Sequence, residues 1–398
     1  MREVMIVGTG MTPFGRFLDQ SLRQLTQQAT AEALADGGLD AAEIGMVFFG
    51  NAAAGLLNGQ ECVRGQVALR GTELMGKPIV NVENACASSS TAFHLAWLSV
   101  ASGQSEAALA LGAEKMYHED RLVPLRALEA AADAEELAAL KQDLGVATDA
   151  PAGSIFMDLY ASVARRYMER SGATAQDLAA VSVKSRAAAA LNERAQFRAP
   201  VNIDEVLGSR MISDPLTLMM CSPIGDGAAG LVLASAELAR RKGLAGVTVK
   251  ATAMASGRPG DDASGPTAKR AADAAYEAAG LGPEDLDLVE LHDAAAPAEL
   301  TLYEELGLAE PDGGPDLLRS GRTALDGDLP VNAGGGLLSR GHPVGATGCA
   351  QLVELADQLR GRAGKRQIEG ARVALAENAG GWLQDDAAAS VVTILAAA

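Results

Sequence analysis

A layered α/β fold is what this sequence predicts, and three observations predict it. Short apolar runs bounded by Gly or charge alternate with longer stretches of helical spacing, two segments echo one another at a fixed offset, and the length suffices for more than one unit. Alternation of this kind lays helices on sheet faces, which favours layered α/β over all-α or all-β. At 398 residues, and about 150 per unit, the chain holds two to three units of ordinary size.

Taken in order, Val4-Met5-Ile6-Val7 reads as a short buried strand running into a turn at Gly8-Thr9-Gly10, and Leu22 to Ala35 carries apolar residues at helical spacing. Met46-Val47-Phe48-Phe49, Ala107 to Leu111 and Leu231-Leu233 continue the strands. Gly38-Leu39 with Ala42-Glu43-Ile44 before Met46-Val47 resembles Gly280-Leu281 with Glu284-Asp285-Leu286 before Leu288-Val289, at a constant offset of 242 residues. Ile79-Val80-Asn81 and Pro330-Val331-Asn332 repeat the pattern, each shortly before a small-residue-rich helix start. Two such echoes predict a duplication into similar halves. Residues from about 115 to 230 do not repeat and predict an inserted subdomain, opened by the charged, Ala-rich stretch Leu128 to Leu144.

Thirty-three basic against 51 acidic residues give a net charge of −18, which argues against a nucleic-acid partner. From Arg165 through Arg210, eight basic residues face five acidic ones, a local excess that suits either a polyanionic ligand or a solvated helical face. No apolar run approaches the roughly 20 residues that span a bilayer, and the Met1-Arg2-Glu3 start enters a strand-like stretch. The expectation is a soluble cytoplasmic protein with no membrane partner.

Cys62, Cys86, Cys221 and Cys349 form no CxxC pair and have no His at finger-like spacing, so no metal site is expected. Reduced thiols that pack as small hydrophobes are the default for most of them. Cys86 differs. In Asn84-Ala85-Cys86-Ala87-Ser88-Ser89-Ser90 it follows a strand-like stretch and precedes the amphipathic run Thr91 to Val100, which places its sulfur at a helix N-terminus. Free N–H groups and the positive dipole end there would stabilise a thiolate. Considered alone, such a cysteine is more often core than nucleophile. The run from Asn332 to Gly348 is too glycine-rich for a packed element and reads as a fixed loop entering a helix. His342, between Gly341 and Pro343, has a constrained backbone and an expected exposed imidazole, as a base that activates a thiol requires.

Together, the helix start around Cys86 and Gly341-His342-Pro343-Val344-Gly345-Ala346-Thr347-Gly348 resemble the thiolase superfamily. The likeness extends through Leu109 to Met116, Cys221 to Ala229, Glu290-Leu291-His292-Asp293 and Glu377 to Gly381, which covers nearly the whole chain. The agreement of these motifs in the same order makes chance negligible. The His292-Asp293 pair resembles the branch of sterol carrier protein-linked thiolases and their bacterial and archaeal acetyl-CoA acetyltransferase-like relatives, where the other main branch carries Asn-Glu.

This resemblance implies a five-layer αβαβα fold with duplicated halves, residues 1–250 with the inserted loop subdomain and residues 251–398. It implies Cys86 as the nucleophile that takes an acyl group from CoA, His342 as the base that activates it, and His292 as a group that holds the acceptor thioester's oxyanion. The backbone N–H groups of Cys86 and Gly381 would form the second oxyanion hole. A coenzyme A thioester is then the substrate, no cofactor is tightly bound, and the chain is at least a homodimer. One departure matters. The second catalytic cysteine of the family is absent, since Ala294 and Asn378 occupy its positions, and Ala295 replaces the aromatic residue often found beside it. That opens an alternative: a repurposed enzyme, a non-Claisen acyltransferase or carbon–carbon lyase on a CoA thioester, working with a small OB-fold companion. A non-catalytic acyl-CoA-binding subunit is a further alternative, against which the retained Cys86 and His342 weigh. Cys349 is expected to pack in its helix, Cys62 and Cys221 to be structural, His94 to be a packing residue, and His118 to be a weak candidate for facing substrate.

Overall fold

The computed structural model describes residues 1–145, 154–258 and 265–398. Of the expected insert, residues 146–153 lie outside the described residues. Eleven strands are present among these: β1 (Val4–Met11), β2 (Met46–Gly50), β3 (Ile79–Val82), β4 (Ala107–Lys115), β5 (Met211–Ser213), β6 (Leu216–Thr217), β7 (Asp226–Ser235), β8 (Val247–Ser256), β9 (Leu288–Glu290), β10 (Val373–Gly380) and β11 (Ala389–Ala397). β5 and β6 form a small hairpin, and the other nine make one sheet in the order β3-β2-β4-β7-β1-β8-β11-β10-β9.

Read outward from the β1–β8 junction, the two halves of the sheet match. β1 pairs with β7 and β7 with β4 antiparallel, while β2 lies parallel between β4 and β3. Across the junction β8 pairs with β11 and β11 with β10 antiparallel, and β9 lies parallel to β10. Val331 bridges Val289 in parallel, at the place β3 holds in the first half. The junction itself is a short contact, Met5 against Thr248 and Ile6 against Val247.

The 242-residue echo has a local cause. The helix Leu22–Gly37 ends on Gly38 at φ 60°, and the helix Thr267–Ala279 ends on Gly280 at φ 66°. In both, the following leucine N–H bonds back into the last turn, Leu39 to the Leu34 carbonyl and Leu281 to the Tyr276 carbonyl. This is the glycine C-cap geometry in which the left-handed residue carries no Cβ penalty. Each cap then feeds a single 3₁₀ turn, Ala41–Glu43 or Pro283–Asp285, that enters β2 or β9.

Three buried clusters separate the layers. Ala29 and Ala33 pack the helix Leu22–Gly37 on the outer face of the first half. Ala268, Ala271, Ala272 and Ala275 pack the helix Thr267–Ala279 on the outer face of the second. Between the halves, Phe93, Ala96 and Val100 of the helix Ser88–Ala101 meet Leu352, Val353 and Leu355 of the helix Thr347–Leu359, with strands of both halves around them. The succession is αβαβα, as expected. Alanine-rich faces let the helices approach closely, and burial of this apolar surface holds the layers together.

One expectation is corrected. Gly8-Thr9-Gly10 is not a turn, because β1 runs straight through it to Met11. A Cβ at Gly8 would lie 2.2 Å from the Ala33 carbonyl oxygen, and one at Gly10 2.2 Å from that of Ala29, so these glycines admit the helix to the strand. The stretch expected as an insert, about 115–230, runs between the end of β4 at Lys115 and the start of β7 at Asp226. Its helices Ile155–Ser171 and Ala175–Ala189 bury Ala161, Ala164, Leu178 and Val181 in the core of the second half. Among the described residues, no helix is long and apolar enough to cross a membrane.

Candidate active site

Cys86 lies in the single 3₁₀ turn Ala85–Ala87 between β3 and the helix Ser88–Ala101. Ala85 is held at φ 48°, a left-handed conformation uncommon for a residue with a Cβ. Three hydrogen bonds stabilise the turn: Ala85 N–H donates to Glu83 Oε1 at 2.6 Å, Asn84 N–H to Ser88 Oγ at 3.0 Å, and Ser88 Oγ to the Ala85 carbonyl at 2.6 Å. The end of β10 presses against it. A Cβ at Gly380 would stand 2.1 Å from the Asn84 oxygen and 2.6 Å from the Ala87 nitrogen, so only glycine brings the next residue, Gly381, to the sulfur.

His342 enters from the second half through the loop expected from its glycines. Buried Arg340 and Glu290 pin that loop to β9, Arg340 donating to Glu290 Oε2 at 2.8 Å while Gly334 N–H donates to Oε1 at 3.1 Å. Asp293 accepts from Leu337 N–H at 2.6 Å. Glu114 of β4 ties the first half to the same loop, accepting from Gly345 N–H at 3.1 Å, Ala52 N–H at 2.9 Å and Asn51 Nδ2 at 2.8 Å. These carboxyls are tolerated in the interior because they accept from backbone and side-chain donors that would otherwise be orphaned.

The result brings residues far apart in sequence to one point. Cys86 Sγ and one ring nitrogen each of His292 and His342 all lie within 4.8 Å of one another. The two imidazoles meet edge to face, centroids 5.2 Å apart at 80°. His342 Nδ1 lies 2.7 Å from Thr347 Oγ1, whose hydroxyl is 3.2 Å from the Pro343 carbonyl. Since the hydroxyl can donate to that carbonyl, it accepts from Nδ1–H and leaves His342 Nε2 with a free lone pair. His292 Nδ1 lies 2.9 Å from Asn378 Nδ2, and His292 N–H donates to Glu377 Oε2 at 3.1 Å.

Two sequence expectations change here. His342 is not exposed but 8% accessible, because its loop is roofed by the Glu114 and Glu290 contacts, and it meets only the cavity. Nor does Cys86 rest as a thiolate. Burial first, and then the charge of Glu114, push its pKa up to about 12, although the N–H groups of Gly381 and of Cys86 itself point at the sulfur and oppose the shift. Burial also lowers His292 to about 3 and holds His342 well below its ordinary value, His292 and Arg340 adding to the latter. The resting site is therefore a neutral thiol beside two neutral imidazoles.

A cavity of about 590 Å³ opens over these groups. Cys86, His292, His342, Gly381 and Ala294 all line it, and its walls are mostly apolar: Leu56, Met116, Leu125, Phe156, Met157 and Trp382. Such a space suits a thioester arm and its acyl group more than a free charge. Tyr160 and Cys221 also line it; neither was singled out from sequence as facing a site. Cys221 sits on a bridge opposite Ala295 and turns its sulfur to the Thr217 carbonyl at 3.4 Å. Cys349 is buried against the Ser89 carbonyl, as expected. Cys62 is exposed. His94 is half-buried against Thr252 Oγ1 at 3.2 Å, and His118 is exposed on Asp120, away from the cavity.

Comparison with known proteins gives the chain a family. Residues 4–237 match the family model for the thiolase N-terminal domain, and residues 232–395 that for the thiolase C-terminal domain-like family. An acetyl-CoA acetyltransferase of Methanothermobacter thermautotrophicus is 40% identical over 386 residues, covering 96% of this chain and 97% of that one. The benzoylsuccinyl-CoA thiolase subunit BbsB of Thauera aromatica is 36% identical over 96% of this chain and 95% of its own length. Human sterol carrier protein 2 is 34% identical over 96% of this chain and 70% of its own. Among solved structures, the Ltp2-ChsH2(DUF35) aldolase superposes with a TM-score of 0.80 at 26% identity, over 99% of this chain and 98% of that one. Human mitochondrial 3-ketoacyl-CoA thiolase shares the fold at a TM-score of 0.72 and 17% identity, over 100% of this chain and 99% of that one. The chain belongs to the thiolase superfamily and is an acyltransferase of the thiolase type.

Proposed function

We propose that the protein transfers acyl groups between coenzyme A thioesters through an S-acyl intermediate on Cys86. One observation carries the reading: the sulfur and the two imidazole nitrogens share a 4.8 Å cluster on the floor of an apolar cavity. Because the resting thiol is neutral, His342 Nε2 takes its proton as the sulfur attacks the donor thioester, and passes it to the departing CoA thiolate. The N–H groups of Cys86 and Gly381, already aimed at the sulfur, receive the tetrahedral oxyanion of the acylation step. His292 holds the oxygen of the acceptor thioester. The acyl enzyme then condenses with the acceptor's α-carbon, or the reverse reaction cleaves a 3-oxoacyl thioester. Coenzyme A is substrate in this scheme, and no resident cofactor takes part.

Intact-protein mass after incubation with a panel of acyl-CoAs tests the proposal. An acyl adduct in the native chain and none in Cys86→Ala is the expected result. Equal acylation of both would overturn it.

A second reading rests on the absence of a thiol at Ala294 and Asn378, together with the aldolase among the structural neighbours, whose name includes a DUF35 component. In that reading the chain cleaves a carbon–carbon bond of a CoA thioester with a small companion protein. Retro-aldol cleavage that survives Cys86→Ala would favour it. We infer self-association as well, supported by the outward edge of β3 at the end of the sheet and by the exposed side chains of Leu98 and Met254.

A further inference from the structure

Claisen chemistry needs a base for the acceptor's α-proton and a hydrogen-bond donor for the enolate oxygen that results. With Ala294 and Asn378 lining or bordering the site, no second thiol stands beside Cys86, and Cys221 is turned to the Thr217 carbonyl. The two imidazoles must divide the work.

Asn378 decides how. It is 1% exposed, in β10. Its Nδ2 lies 2.9 Å from His292 Nδ1, and its Oδ1 lies 2.7 Å from Ser90 Oγ. The Ser90 hydroxyl has one hydrogen and two acceptors in reach, Asn378 Oδ1 at 2.7 Å and the Ala87 carbonyl at 2.9 Å, and the shorter contact is the amide. A second argument fixes the same orientation. Ser90 is in the first turn of the helix Ser88–Ala101 and Gly348 in the first turn of the helix Thr347–Leu359. A Cβ built at Gly348 would stand 2.6 Å from Asn378 Oδ1 and 2.6 Å from Ser90 N, so the amide oxygen sits where two positive helix ends meet. An oxygen is stabilised there, whereas an amide NH₂ would be repelled.

We propose that Asn378 is a positioning residue that sets the tautomer of His292: its N–H donates to Nδ1, so the ring hydrogen sits on Nε2 as a donor to the acceptor thioester's oxygen, and His342 is the base for both proton transfers. The inference rests on the acyl-enzyme reading above. In the first half-reaction His342 takes the Cys86 proton, the S–C bond forms, and CoA leaves with that proton. In the second, His342 Nε2 takes the α-proton while His292 Nε2–H bonds the enolate oxygen. The α-carbon attacks the S-acyl carbonyl, the C–C bond forms and the C–S bond to Cys86 breaks. The thiolate recovers its proton from the His342 imidazolium, and the site returns to its starting state without a second thiol.

Nitrogen-15 NMR of the histidine-labelled native protein, with His292 assigned by its loss in His292→Asn, reads the tautomer directly. An Nε2–H signature for His292 is expected; an Nδ1–H signature overturns the proposal. Function is read by α-proton exchange of acetyl-CoA in D₂O, with Cys86 acylation followed by mass as the control. Asn378→Asp turns the partner into an acceptor for Nδ1–H and removes the Nε2 donor, so exchange falls about 100-fold while the Cys86 adduct still forms. His292→Asn supplies a donor whose form does not depend on residue 378, so adding Asn378→Asp to it costs nothing further. Additive losses in the double variant would mean a structural role only and overturn the proposal. If no adduct forms on Cys86 in the native protein, the acyl-enzyme reading fails, and the NMR tautomer still decides this inference separately.

Discussion

Thr347 holds the imidazole of His342, its Oγ1 2.7 Å from Nδ1 and 3.2 Å from the Pro343 carbonyl one turn earlier. The hydroxyl that begins the helix Thr347–Leu359 thus points the free lone pair of His342 into the cavity. Replacing it with the near-isosteric valine leaves a buried Nδ1–H without a partner and lets the ring turn or change tautomer. Partners of this kind are worth about 10- to 100-fold where they orient a histidine. Thr347→Val is expected to slow Cys86 acylation by about 10-fold or more with little loss of Tm; an unchanged rate would remove Thr347 from the site.

The neutral thiol gives a distinct pH signature. With Cys86 pushed up to about 12 by burial and Glu114, its alkylation by iodoacetamide is expected to keep rising with pH through pH 9. A reactive cysteine with a depressed pKa would level off near or below neutrality instead. A plateau at neutral pH would therefore show that the helix end and the Gly381 N–H outweigh burial.

Gly380 is required by contact with backbone. Its missing Cβ would fall 2.1 Å from the Asn84 oxygen and 2.6 Å from the Ala87 nitrogen, and neither can move without unmaking the Cys86 turn. Overpacking of this kind costs about 1–3 kcal/mol. Gly380→Ala is expected to lower stability by that amount in urea unfolding and to displace Gly381, with acylation falling further than stability explains. Full activity would show that the turn tolerates the shift.

Stability is expected to decline between pH 6.5 and 8. Glu114 and Glu377 are raised to about 7 and Glu305 to about 8, burial being the largest cause in each. A raised carboxyl binds its proton more tightly folded than unfolded, so stability is lost as pH climbs from the unfolded value through the folded one. His94, His292 and His342, all lowered, act oppositely, by an amount that fades as pH rises past about 6.5 and the unfolded imidazoles lose their protons. The thiols raised to about 12 begin to count only above about pH 9. Between pH 6.5 and 8 the three carboxyls outweigh the fading contribution of the imidazoles, and a Tm at pH 8 equal to or above that at pH 6.5 would refute their assignment.

The sequence by itself determined the layered α/β class and the duplication and marked Cys86 and His342 as candidates, because these rest on local rules, while the roles of the two as nucleophile and base came only with the resemblance. A glycine cap repeats at Gly38 and Gly280, a helix start follows β3 at Cys86, and a glycine-rich run must be a loop, wherever the chain later goes. His292 and Gly381 were legible only through resemblance, since nothing in their immediate neighbours marks them. The tertiary structure decided the rest. It buried His342, raised the Cys86 thiol and turned Gly8 and Gly10 into a helix contact. It joined Ser90 to Asn378 and Asn378 to His292, pairs 288 and 86 residues apart. Desolvation and hydrogen-bond direction depend on what packs beside a group in space, and for these residues the neighbours are remote in sequence, with Ser90 and Glu114 reaching across from the other half of the chain.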